Sequence, residues 1–221
     1  MRWKRRVGRI PLARTALGRD LLSRVIIGAQ TSIFSALVLV AVSAICGTLV
    51  GVLCAICGGV IDALFMRIAD VCLAFPGIVF ALAFAAVIDG GIWGAVLALA
   101  AVSWPKYARL ARSQTRTLLG ADFIAVARLA GNTTAGLVWR HILPNIGGQI
   151  LVTAVLDIGT MMMELAALSF LGLGAEPSTA EWGSMMSAGR SLLWVYPWVV
   201  LTPGIGIFVA VALFNLFGDA L

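Results

Sequence analysis

Long apolar runs separated by short polar breaks organise this chain. Residues 25–61 carry no charge. That length predicts one membrane-spanning helix with a weakly amphipathic lead-in at Gln30 and Ser32, since two spans need about 40 residues plus a turn. A polar segment with Asp62, Arg67 and Asp70 follows, then a second apolar run, 71–88, with Pro76 near its start. Asp89-Gly90-Gly91 reads as a tight turn. The third run, 92–104, is short for a bilayer, but Lys106, Tyr107 and Arg109 at its end are able to snorkel to the interface. The fourth run, 146–170, is interrupted by Asp157 and Glu164, and the fifth covers 191–218. Between them, 171–190 is rich in Gly, Pro and Glu and too polar to span. No internal repeat is visible.

Composition agrees with a membrane solvent. The chain is 61% apolar and 12% charged, with a mean hydropathy of +1.03, where soluble domains are about half apolar and a quarter charged. This excludes a soluble globular enzyme, a disordered chain and a disulfide-stapled secreted domain. The net charge of +6 is gathered outside the apolar runs, so it points to a membrane surface and to topology rather than to nucleic acid. Cys46, Cys54, Cys57 and Cys72 all lie in or beside apolar runs. The C-x-x-C of Cys54 and Cys57 has no second pair or neighbouring histidine to complete a zinc set, and reads as small packing residues. Residues 1–24 hold eight Lys or Arg and one acid. No apolar stretch of signal-peptide length follows Met1, so this segment reads as neither a leader nor a span. The remainder, 25–221, reads as one transmembrane domain of about five spans.

The segment 105–145 holds Lys106, Arg109, Arg112, Arg116, Arg128 and Arg140, and the positive-inside rule makes it cytoplasmic. Alternation then places 171–190 outside and the C-terminus inside. It also places the basic N-terminal block outside, against the same rule. Lys106, Arg109, Arg112 and Arg116 share one helical face, so the third span is expected to continue into the cytoplasm with a stripe facing lipid headgroups or solvent. After Gly120 a short helix is expected with Asp122 in its first turn. Gly131 suits a left-handed C-terminal cap, and Asn132 or Thr133 suits the N-cap of a further helix carrying Arg140 and His141. Pro144 suits the start of the next membrane helix. The product is a helix-turn-helix lever between two spans, with small residues at Ala125, Ala127, Ala130 and Gly131 that allow a soluble partner to approach.

The stretch D-F-I-A-V-A-R-L-A-G (122–131) followed by R-H-I-L-P-N (140–145) resembles the EAA signature of the permease subunits of bacterial ABC importers. L-G-R-D-L-L-S-R (17–24), F-L-G-L-G (170–174), E-W-G (181–183) and F-N-L-F-G-D (214–219) are similar to the "C" member of the dipeptide/oligopeptide/nickel permease family. L-D-I-G (156–159) before a Met-rich run leans modestly toward nickel. The resemblance implies an all-α integral membrane protein of the type I ABC importer permease fold, multi-pass in the bacterial inner (cytoplasmic) membrane. It implies coupling to ATPase subunits through Ala125, Ala127, Arg128, Gly131, His141 and Pro144 of a cytoplasmic coupling-helix loop. Its partners would be a homologous second permease, two ATP-binding cassette subunits and an extracytoplasmic substrate-binding protein. The chain depart from the family where Ala125 and Val126 replace Glu and Ala. The family also usually has a span before L-G-R-D and a tail after G-D-A-L, which suggests a truncated chain and would account for the topological conflict.

No G-x-x-x-x-G-K-[ST] occurs, so ATP and magnesium are expected in partner subunits, with no cofactor on this chain. Asp157, Met161 and Glu164 share one face of the fourth span. Facing lipid, either carboxylate costs several kcal/mol. The face is therefore expected to line a translocation path for a cationic substrate, or to form a hydrogen-bonded structural pair at a subunit interface. Met161, Met162 and Met163 point in different directions on a helix and read as adaptable packing rather than a metal site. Trp182, Trp194 and Trp198 are expected in an interfacial belt. A self-sufficient secondary transporter or cation channel is the alternative; an intramembrane enzyme finds no nucleophile–base pair.

Overall fold

A helix of 37 residues opens the described part of the molecule: α1, Leu21–Cys57, contains no proline and ends at Gly58 and Gly59, whose φ angles of 61° and 52° few other residues tolerate. The computed structural model describes residues 21–88, 91–176 and 179–221. The basic block through residue 20, the turn residues Asp89 and Gly90, and Pro177 lie outside the described residues.

The second apolar run is not a straight span. It divides into α2, Gly59–Ala74, and α3, Gly77–Val87, bent by 99°. Pro76 lacks the N–H needed to continue the helix, and Phe75 before it is extended at φ −103°, ψ 151°. Then α4, Gly91–Leu119, runs unbroken through Pro105 well beyond the apolar stretch. A turn leads to α5, Asp122–Leu129, and α6, Thr134–Leu137. Here the expected helix-turn-helix needs correction. Through a π-helical turn at Val138–Ile142, α6 continues into α7, Leu143–Phe170, so the second lever helix is the lower end of the next span. The chain finishes with α8, Trp182–Gly189, a 3-10 turn at Arg190–Leu192, and α9, Trp198–Asp219.

Leu21–Cys57, Thr134–Phe170 and Trp198–Asp219 are each long and apolar enough to cross a membrane, and the bent α2–α3 pair has together the length and composition of a broken span or a re-entrant loop. Parallel to α1 runs α4, from Phe34 against Trp93 at one end to Gly51 against Ala108 near the other. Gly47 and Gly51 allow this approach. A Cβ on Gly47 would meet the Trp104 carbonyl and lie 2.6 Å from Tyr107 Cβ, and one on Gly51 would meet the Ala108 carbonyl. Two small residues four apart bring helix backbones together in the same way wherever membrane helices pack through dispersion.

Leu39, Leu99, Val102, Ile158, Met161, Met162, Leu165 and Leu168 form the core between α1, α4 and α7. Large apolar side chains such as Phe208, Leu213 and Leu216 on α9 face outward, which suits hydrocarbon and not water. The end of the bundle away from α5 is closed by α8. Glu181 caps it through Gly183 N–H at 2.8 Å and Ser184 N–H at 2.7 Å. Trp182 is buried and donates Nε1–H to the Val25 carbonyl at 2.9 Å. It is therefore a packing residue, not the belt residue expected; Trp194 is 94% exposed and Trp198 is half-buried.

Candidate functional site

Two places carry the chemistry, joined by the same pair of long helices. The first is a cavity of about 190 Å³ where the α2–α3 break faces α4 and α7. Asp157, Met161 and Glu164 line it together with Ser103, Lys106 and Thr160. Helical spacing on α7 puts the three sequence-chosen residues on one wall, and the kink at Pro76 opens space opposite them.

Asp157 is buried and multiply bound. Its carboxylate pairs with the Lys106 ammonium and accepts the Tyr107 hydroxyl at 2.9 Å. Lys106 keeps half its side chain exposed. Both partners of Asp157 belong to this chain. Met161 is buried and accepts the Ser103 hydroxyl on sulfur at 3.6 Å. Glu164 is half-buried, and among the described residues no hydrogen bond or ion pair uses its carboxylate. Met162 is buried and Met163 exposed, consistent with packing in different directions.

The basic stripe of α4 is the larger correction. It does not face solvent freely. Arg109 pairs with Asp70, and Arg112 grips Asp62 through two guanidinium nitrogens, one at 2.6 Å. Arg116 reaches the same carboxylate at 2.6 Å. With Lys106 on Asp157, all four cations of the stripe have a carboxylate partner on α2 or α7. Opposite charges on adjacent helices attract more strongly near a low-dielectric boundary than in bulk water, which ties the stripe to α2 and α7 although Lys106, Arg109 and Arg116 each keep about half of their side chain exposed. Asp62 and Asp70 were read only as part of a polar break, and Tyr107, expected to snorkel to the interface beside Lys106 and Arg109, is instead fully buried on Asp157. The signal was available: two carboxylates eight residues apart on a helix that follows a charge-free span have to meet cations somewhere.

The second place is the hairpin α5–α6. Ile124, Ala127 and Leu137 form a small core with Leu119 behind them. Gly131 adopts φ 84°, and the Asn132 backbone N–H and side-chain amide both donate to the Ala127 carbonyl, at 3.2 and 3.0 Å. Thr133 caps α6 by accepting Gly136 N–H at 3.2 Å. The hairpin therefore holds its own shape. Ala127 is buried in it, so the outward faces are Ala125, Arg128, Val126 and Leu129. Gly131 and Pro144 are exposed, Pro144 in the first turn of α7, and His141 lies half-buried with its ring 6.5 Å from that of Phe123.

Comparison with known proteins bears on both places. Residues 47–221 match the family described as binding-protein-dependent transport system inner membrane component. The glutathione transport system permease protein GsiD of Escherichia coli O157:H7 is 44% identical over 206 residues, covering 93% of this chain and 68% of its own. The probable D,D-dipeptide transport system permease protein DdpC of Escherichia coli K12 is 40% identical over 205 residues, covering 93% and 69%. The inward-facing MetNI methionine ABC transporter superposes with a TM-score of 0.71 at 19% identity over 90% of this chain and 94% of that one. An amino acid ABC transporter crystallised with histidines gives 0.58 at 21% over 92% and 99%. These last two likenesses establish the fold alone. The lean toward nickel finds no support in relatives named for glutathione and D,D-dipeptides, and among the described residues no three His, Cys, Asp or Glu converge to hold a metal ion.

Proposed function

The chain belongs to the family of binding-protein-dependent transport system inner membrane components, and from that premise we propose that it carries small peptides across the bacterial inner membrane as the permease subunit of an ATP-driven importer. It is a transport component and not an enzyme. In this reading a homologous second permease completes the path, and an extracytoplasmic binding protein delivers the peptide. Two ATP-binding cassette subunits use ATP and magnesium. The molecule crosses the membrane five times, α4 being the short crossing, with the α5–α6 hairpin in the cytoplasm and α8 outside.

The observation that carries this reading is mechanical. Both helices that frame the hairpin run without a break to the cavity. From Leu119 to Lys106 is thirteen residues, about 20 Å, and from Leu137 to Asp157 is twenty residues, about 30 Å, at 1.5 Å per residue. A push on α5 is therefore delivered as a rigid movement of two cavity walls, and the ion pairs of α4 with Asp62 and Asp70 carry α2 along. Membership of this family disfavours the self-sufficient transporter, which needs no such lever.

The test is co-purification in detergent. Ala127→Pro puts a proline in the interior of an eight-residue helix, a change that costs about 3 kcal/mol. Ala127→Pro is expected to lose the ATPase subunits while still inserting in the membrane. Retention of the ATPase subunits by the proline variant, with wild-type uptake, would refute the coupling role.

A further inference from the structure

We infer that Glu164 receives the free ammonium group of a peptide in transit. The inference rests on reading the cavity as part of the translocation path. Three charged side chains line that cavity: Lys106, Asp157 and Glu164. Lys106 and Asp157 neutralise each other in a direct pair, and Asp157 is further held by Tyr107. Glu164 lies about two helical turns further along the same wall, roughly 10 Å from Asp157, within reach of the Lys106 and Asp157 charges through space but with no hydrogen bond or ion pair of its own among the described residues. The wall thus offers one uncompensated negative charge.

Such a charge at membrane depth is costly unless something meets it. The same cost applies to a cation crossing alone, so a fixed carboxylate lowers the barrier for a positive group and raises it for a negative one. The size of the cavity narrows the ligand further. About 190 Å³ has room for roughly six waters at ~30 Å³ each. That suits the amino end of a peptide, with the rest of the molecule lying beyond the cavity's open side. Around Glu164 the wall also offers hydroxyls at Ser103 and Thr160 and the Met161 thioether, groups that tolerate an ammonium or a peptide carbonyl without selecting a side chain. Recognition of the common end rather than the variable part is what a path shared by different peptides requires.

The experiment uses the complete transporter in proteoliposomes with its binding protein, and radiolabelled D-alanyl-D-alanine and glutathione as probes. Glu164→Gln keeps the shape and removes the charge. Hydrogen bonds to charged groups contribute about 1.5–3 kcal/mol, so the maximal uptake rate is expected to fall roughly tenfold or more while half-saturation, governed outside the membrane, stays in place. Glu164→Asp is expected to recover most of the rate. Wild-type uptake by Glu164→Gln, or equal loss in the Asp and Gln variants, would overturn the inference. If Glu164→Gln does not assemble, Thr160, one turn away and exposed, supplies a second pair. Thr160→Lys places an ammonium of the chain's own beside Glu164 and is expected to block uptake, whereas Thr160→Met, of similar length and uncharged, retains most of it. Equal blockage by both overturns the inference. ATP-driven uptake of neither probe by the wild-type assembly would instead strike the peptide reading itself.

Discussion

Removing the Lys106 ammonium should expose how the cavity is held. In Lys106→Met the stem keeps its length and its apolar contacts, but Asp157, with only 7% of its side chain exposed, retains the Tyr107 hydroxyl alone. Breaking a fully buried pair from one side costs about 3–5 kcal/mol. Lys106 is half exposed, so water partly replaces it, and the expected loss is about 2 kcal/mol, close to 30-fold in the folding equilibrium. Asp157→Asn is milder, about 1 kcal/mol, because an amide still accepts from Tyr107 and Lys106 relaxes toward water. The double variant Lys106→Met/Asp157→Asn leaves no stranded charge and should be more stable than Lys106→Met alone by about 1 kcal/mol. Reversible unfolding in mixed micelles, followed by the fluorescence of the seven tryptophans, reads all four corners of the cycle. Strict additivity of the two single changes would refute the claim that the pair neutralises the wall, and would remove the reason for treating Glu164 as the one uncompensated charge.

Two further outcomes follow from the packing. Gly51→Leu drives a side chain into the Ala108 carbonyl and the Ala111 methyl, and overpacking of this kind costs about 1–3 kcal/mol; Gly147→Ala, with nothing within 4 Å of the added Cβ, serves as the tolerant control, and equal melting temperatures for the two would deny a backbone-close α1–α4 seam. Glu181→Ala removes the acceptor of two α8 N–H groups and of the Ser32 hydroxyl. It should lower stability by about 1–3 kcal/mol and speed proteolysis or hydrogen exchange over 182–189; unchanged exchange there would sink the cap.

Hydrophobic runs made the three long apolar helices α1, α7 and α9 legible because a bilayer demands about 20 apolar residues wherever a helix passes through it. The cap at Thr133 and the left-handed Gly131 were legible too, since both answer to local backbone chemistry. What could not be read locally was which cation meets which carboxylate. Asp62 and Arg112 are fifty residues apart, and one-face spacing on α4 says that four charges align but not what faces them. For the same reason Ala127 looked available to a partner: spacing gives its small size, while its burial against Leu137 exists only once α6 folds back. Trp182 was assigned to the interface by residue type, yet a tryptophan with a carbonyl in reach of its N–H is equally at home inside.

Glu181 and Trp182 hold Ser32 and Val25 across roughly 150 positions of chain, which sets an order on assembly at the ribosome. The outer end of α1 is fastened by residues made about 150 positions later, after α2 to α7 have had time to insert. A nascent chain halted before Glu181 can therefore zip α1 to α4 while its outer collar stays unlatched, and the arrival of those two side chains closes the collar with α9 still to be added.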